Sequence, residues 1–267
     1  MYVIRELEDA VDDCVKGCDR DDCNDDAVHA LDEAVAFYTG STQGNGSNGN
    51  LLYALAEKRC LNFGTCSPTS GIAKVNEHIF VQFKQMQNNL LSDECTAARL
   101  NKERIAELMY VPMIQGTLRY AYFQDIQNDT TPKSDAEGAA FMAAMLPKLH
   151  ACNADDAAEL YAMLRLGNDG PVDFARARQL MQRSYSCMKI SCKDVGGLTD
   201  GEFYFDGAAP CTDQRLSTSM RAVVSIVSIA GGAVLILGIF FLFCRGSRSH
   251  SSNGVEKQLE MNGQNIA

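Results

Sequence analysis

The sequence predicts an all-α fold: a duplicated helical bundle outside a membrane, stabilised by disulfides and followed by one C-terminal transmembrane helix. Three observations carry that prediction. Apolar residues recur at helical spacing over most of the chain before residue 185, ten cysteines precede a long uncharged apolar run, and short blocks of the first half return in order in the second. With 267 residues, 46% of them hydrophobic, the chain can bury a sizeable core. Its formal charge of −10 leaves no basic stripe to neutralise phosphates, so nucleic acid is not an expected partner.

Residues 2–16 have helical periodicity, and the acidic run from Asp19 to Asp26 then supplies a turn and a helix cap. That run lacks the spaced oxygen ligands, central glycine and closing glutamate of an EF-hand loop. The stretch Val28 to Ser41, VHALDEAVAFYTGS, is the helix around which the chain is expected to be organised. It sets His29, Asp32 and Glu33 at i, i+3 and i+4, on one face and within reach of a shared ion. The simpler reading of the same spacing is an ordinary His29–Glu33 pair near a helix start capped by Asp25 or Asp26.

Gly40 to Asn50 is a polar loop, and further helices are expected at 51–63, 72–91, 96–109, 112–127, 135–150, 155–166 and 173–185. The 135–150 segment is rich in small residues, which suits close helix packing. Met86, Met142, Met145 and Met163 fall at apolar helical positions, where core packing accounts for them better than copper does.

Cys14, Cys18, Cys23, Cys60, Cys66, Cys95, Cys152, Cys187, Cys192 and Cys211 all precede the apolar segment, and Cys244 closes it. Ten cysteines allow five disulfides in a secreted or lumenal domain, with Cys60 and Cys66 placed to close locally. Zinc at Cys14, Cys18 and Cys23 is the rival reading, but no C-x-x-C pair completes a four-ligand site.

Residues 222–244 run for 23 positions without a charge, long enough to cross a hydrocarbon core as a helix. The disulfides place residues 1–221 outside and 245–267 in the cytoplasm, a single-pass type I arrangement at the plasma membrane. The sequons at Asn45 and Asn128 make both asparagines glycosylation candidates. The acidic opening has neither the basic nor the apolar region of a signal peptide, so the leader is expected to lie upstream of this sequence. Ala230, Gly231, Gly232 and Gly238 offer a small-residue face for self-association in the membrane.

Met1-Tyr2-Val3 recurs as Met109-Tyr110-Val111, Glu33 to Phe37 as Glu137 to Phe141, and Leu52 to Leu55 as Leu160 to Met163, at offsets of 108, 104 and 108. The expected division is two repeats, about 1–100 and 105–192, in a domain of residues 1–197, a juxtamembrane tether at 198–221, then the membrane span and tail. Glu33 and Glu137 are counterparts in that scheme.

The blocks HALDEAVAFYTGS, LLYALAEKRCLNF, VPMIQGTLRYAY, EGAAFMAAMLPKLHAC and CMKISCKDVGG, taken in order, resemble the Fe-assimilating, high-carbon-dioxide-inducible periplasmic protein family of algae over Met1 to Gly197. The resemblance implies a cell-surface protein of iron acquisition, secreted or membrane-anchored, working with an iron permease or endocytic machinery. Leu31 stands where the family's central motif has Trp, which alters packing but removes no polar ligand.

Ferric iron is a hard cation that prefers carboxylate or phenolate oxygen with an occasional imidazole. His29, Asp32, Glu33 and Glu137 are therefore the expected ligands at the interface between repeats, with Tyr38 and Tyr120 as phenolate candidates. Arg59 and Arg119 are expected either to pair with buried carboxylates or to hold an anion. No G-x-S-x-G, P-loop, H-E-x-x-H or dinucleotide fingerprint is present, so no enzyme activity is expected. An interaction or adhesion module without a metal is the alternative.

Overall fold

In the computed structural model, residues 2–19, 21, 23, 25–40 and 49–212 are described. The anticipated membrane span, tail, Cys244 and Asn45 lie outside them. Among the described residues the fold is all-α, with no helix long and apolar enough to cross a membrane. The helices are α1 (Tyr2–Lys16), α2 (Ala27–Thr39), α3 (Leu52–Phe63), α4 (Lys74–Leu91), α5 (Cys95–Asp125), α6 (Pro132–Cys152), α7 (Ala154–Leu164), α8 (Phe174–Ser184) and the short α9 (Cys192–Val195).

The local signals explain most boundaries. Asp26, Thr131, Asn153, Asp173 and Ser191 cap the helices that follow them by accepting backbone N–H bonds. Gly64 ends α3 in the left-handed region at φ 63°, where a side chain would be strained. Asp125 of α5 accepts the N–H of Phe174 at the start of α8, tying two helix ends together.

The expected break at Pro112 is absent. One 31-residue helix, α5, runs through it and packs on α1, α3, α4, α6, α8 and α9. An interior proline costs about 3 kcal/mol of helix stability. Val111, Pro112, Ile114, Leu118 and Ala121 are all buried around the break point. At about 1.5–3 kcal/mol for each fully buried aliphatic side chain, tertiary packing outweighs the local penalty. The helix that organises the molecule is therefore α5, while α2 packs on α1, α3 and α4.

The core runs continuously from Leu7 and Leu31 through Ile79, Ile105 and Ile114 to Met142, Leu149, Leu160 and Leu180. Met86 and Met145 are fully buried in it and Met163 packs against it, as expected for core methionines. The small residues of α6 allow the anticipated close approach: a Cβ added at Gly138 would lie 3.2 Å from Tyr120 Cβ of α5, and on the α5 side one added at Gly116 would lie 2.5 Å from the Phe141 ring of α6.

All ten candidate cysteines pair, as Cys14–Cys95, Cys18–Cys23, Cys60–Cys66, Cys152–Cys187 and Cys192–Cys211. The zinc reading of Cys14, Cys18 and Cys23 falls with this, because a sulfur in a disulfide is no thiolate ligand.

Residues 198–212, which begin the expected tether, belong to the folded unit. Leu198 and Ala208 are buried, Phe205 stacks on Tyr122 of α5, and the N–H groups of Gly197 and Thr199 bond the carbonyls of Phe63 and Asn62. Gln115 of α5, itself buried, donates to the carbonyl of Val195.

Candidate functional sites

The loop between α1 and α2 builds the first site. Asp26 Oδ1 accepts the backbone N–H groups of Val28 and His29, which fixes the first turn of α2. Asp25 Oδ1 accepts the N–H of Asp26, and its other oxygen, Oδ2, lies 3.0 Å from Nε2 of His29. Glu33 follows one turn later, and donor atoms of Asp25, His29 and Glu33 all lie within 4.8 Å of one another. The His29 side chain is 45% exposed, so an ion can reach the group from solvent. Two ligands bound at about 2.0–2.1 Å in cis positions of an octahedral ion stand roughly 3 Å apart, so the His29–Asp25 spacing fits direct coordination.

Charge is concentrated here. Residues 1–40 contain twelve of the 34 acidic residues and three of the 24 basic ones, a net −9 out of −10. A cation near this hairpin is thus drawn by almost the whole formal charge of the chain. Asp13 of α1 is buried, its Oδ2 has no hydrogen-bond partner, and burial, then neighbouring Asp9, Asp12 and Asp25, push its carboxyl above the usual range. Asp13 also lies beside the Cys18–Cys23 bridge, but those sulfurs are bonded to each other.

The other anticipated ligands stand elsewhere. Asp32 lines a groove of about 360 Å³ with Leu31, Val35, Phe80, Val81 and Lys84. Tyr38 is fully buried. Its hydroxyl donates to Asn76 Oδ1, while the Asn76 amide donates to Glu57, which also accepts the Ala73 N–H at the start of α4. Burial, then the Glu57 charge, raise the Tyr38 phenol above its ordinary range, which disfavours a phenolate. This network ties α2, α3 and α4 and gives Tyr38 the structural role. Asn128 is exposed in the turn between α5 and α6, as a glycan acceptor must be.

Glu137 and Tyr120 meet Arg59 and Arg119 in a second site, a cavity of about 740 Å³ between α3, α5 and α6 that Lys58 also lines. Tyr120 and Phe141 stack at 5.8 Å with an interplanar angle of 12°. The Arg59 guanidinium lies 5.2 Å from the Phe141 centroid, and that of Arg119 lies 4.2 Å from Phe123 and 5.2 Å from Tyr120. Arg59 is 7% exposed, bonds Asn62 through one terminal nitrogen, and leaves Nε buried without a partner. Burial, then the Arg119 charge, hold Arg59 down at about 10, and burial lowers Arg119 as well, with Glu137 opposing both shifts. Both remain cations at neutral pH.

Among the described residues neither arginine is in an ion pair with a carboxylate, and Glu137 itself pairs with Lys133 at 3.9 Å. Of the sequence-based candidates, His29 and Glu33 come together, as do Glu137, Tyr120, Arg59 and Arg119. The sequence reading gave Asp25 only a capping role and passed over Phe141. The signal for Asp25 was its i, i+4, i+8 register with His29 and Glu33, whereas nothing local marked Phe141. No family model matches the chain, and no curated protein or solved structure shows detectable similarity to it.

Proposed function

We propose that this chain is a cell-surface iron-binding protein that assists iron acquisition without catalysis. Ferric iron is cargo, captured by Asp25, His29 and Glu33 on the acidic α1–α2 hairpin. The observation that carries the reading is the approach of these three donors within the part of the chain holding a net −9 charge. Two carboxylate oxygens and one imidazole suit a hard trivalent ion, and an exposed face leaves room for water or a chelator to complete its coordination. In this reading residues 222–244 anchor the protein as a type I membrane protein, and delivery passes to a permease or to endocytosis.

We infer also that the domain arose by duplication, α1–α4 corresponding to α5–α8. The pattern of neighbours supports this: α1 with α2, α2 with α3, α3 with α4, α1 with α4 and α2 with α4 each have a counterpart four helices later. The recurrence of Asp25, His29 and Glu33 as Asp129, Lys133 and Glu137, at a constant offset of 104, supports it too.

Equilibrium dialysis of the oxidised full chain against ferric iron, ferrous iron and zinc tests the function. One ferric ion bound per chain in preference to zinc is expected, with loss of that binding in the Asp25→Asn, His29→Gln, Glu33→Gln triple variant and retention of its helical circular dichroism. Unchanged ferric affinity in the triple variant would refute the site. A docking module without metal is the second reading, favoured by the half-exposed Phe80 and Val81 along the Asp32 groove. It predicts that the triple variant changes nothing, while Val81→Asp abolishes partner binding at the cell surface.

A further inference from the structure

The cavity between α3, α5 and α6 holds three cationic side chains against one carboxylate, in a chain whose net charge is strongly negative. Such clusters are disfavoured in an unliganded fold. Two guanidiniums close enough to repel each other, one of them 93% buried, lose hydration without gaining the hydrogen-bonded counterions that normally compensate. An ordinary structural arginine at this depth would meet a carboxylate. Arg59 instead meets Asn62 and an aromatic ring, and its Nε remains unpartnered.

The cavity walls are equally particular. Arg59 and Arg119 lie against a stack of Tyr120 and Phe141, so packing, more than ion pairing, sets the place of the planar guanidiniums. Gly116, under the Phe141 ring, makes that stack sterically possible. A volume of about 740 Å³ falls within the range of small-molecule sites and exceeds the needs of a single inorganic oxyanion. Leu51, Leu55 and Phe141 add carbon surface for an organic body.

We propose that this cavity binds a small organic polycarboxylate, its carboxylates held by Arg59 and Arg119 and its carbon skeleton against the Tyr120–Phe141 wall. Guanidinium–carboxylate pairing is bidentate and charge-assisted, so each arginine contributes both affinity and orientation. Glu137 faces the bound anion as a like charge and limits its affinity. The inference stands apart from the metal reading, because the hairpin residues take no part in it.

Isothermal titration calorimetry and thermal unfolding of the oxidised full chain in metal-free, chloride-containing buffer test the proposal, with citrate as probe and inorganic phosphate and acetate as comparisons. Saturable 1:1 binding of citrate is expected, at least tenfold tighter than phosphate, with no measurable acetate binding. Arg119→Met should weaken citrate by roughly tenfold to a hundredfold, the loss of charge-assisted hydrogen bonds. The same variant should melt at or above the wild-type temperature without ligand, since it removes a repelling charge, whereas a merely structural arginine would lower it. Glu137→Gln should tighten citrate severalfold, and the hairpin triple variant should bind it as the wild type does. Absence of citrate binding overturns the proposal. So does phosphate binding as tightly as citrate, which would make the site one for inorganic oxyanions, and so does undiminished citrate affinity in Arg119→Met.

Discussion

Removing the Cys14–Cys95 bridge separates α1 from the start of α5, and its effect can be worked from chain length. The two cysteines are 81 residues apart, and the loop-entropy relation gives about 4.5 kcal/mol of stability for closing that loop. The Cys18–Cys23 bridge spans only 5 residues, for which the same relation gives about 2 kcal/mol. For a folded unit of this size roughly 2–4 °C of melting temperature corresponds to each kcal/mol. Cys14→Ser/Cys95→Ser should therefore lower the midpoint by roughly 9–18 °C and Cys18→Ser/Cys23→Ser by roughly 4–8 °C. Scanning calorimetry of both double variants, checked for reversibility, makes the comparison. The functional consequence should run the other way. Cys23 stands two residues before Asp25, so loss of the short bridge should weaken ferric binding while loss of the long one leaves it nearly intact. Equal destabilisation by the two variants, or a larger effect of the short loop, would refute the argument that denatured-state entropy governs both bridges.

Two further substitutions probe packing and charge. Gly116→Ala puts a methyl group 2.5 Å from the Phe141 ring, so a stability loss of about 1–3 kcal/mol is expected, measurable as a lower urea midpoint and accompanied by weaker citrate binding. Asp13→Asn should stabilise the protein at neutral pH. The folded state holds the Asp13 carboxyl above the unfolded model value of 3.8, so it binds more protons than the unfolded state between those two values. The penalty is thus fully present above the folded value and relieved as pH falls through it toward 3.8. Melting curves of wild type and variant should converge on acidification, and a variant less stable than wild type at pH 7 would contradict the assignment.

What was legible in the sequence follows from range. Helices with an N-terminal signal and a clean apolar stripe were readable, because capping by Asp26 and the burial of every third or fourth residue are local events. The pairing of all ten cysteines was anticipated as a total but, apart from the local Cys60–Cys66 bridge, not as a connectivity, since Cys14–Cys95 depends on where α5 begins relative to α1. Pro112 misled because its penalty is local while the compensation comes from six neighbouring helices. The tether misled for a similar reason. The apolar side chains of residues 198–212 follow no helical period, and their anchorage rests on Phe205 against Tyr122, backbone bonds to α3 and the Cys192–Cys211 bridge. The hairpin donors were half visible. His29 and Glu33 share a helix face, but Asp25 enters only because the loop returns it to that face. The arginine cavity was visible as residues but not as a place: Arg59, Arg119, Tyr120 and Glu137 were all candidates, yet Arg59 and Arg119 are 60 residues apart in sequence and converge only through the α3–α5–α6 packing.

The two sites acquire a common logic if the halves are copies. In the first copy the acidic positions at i and i+8 flank His29, and in the second they flank Lys133. A lysine ammonium has no lone pair and supplies the positive charge itself, so in the second copy it pairs with Glu137, at 3.9 Å. An imidazole instead can offer a lone pair, so His29 between Asp25 and Glu33 can join both carboxylates as ligands of an external cation. The same register thus yields a cation-seeking group where histidine stands and an internally paired one where lysine stands. Glu137 lines the cavity without an ion pair to Arg59 or Arg119, so three cations still outnumber it there and can attract an anion from outside.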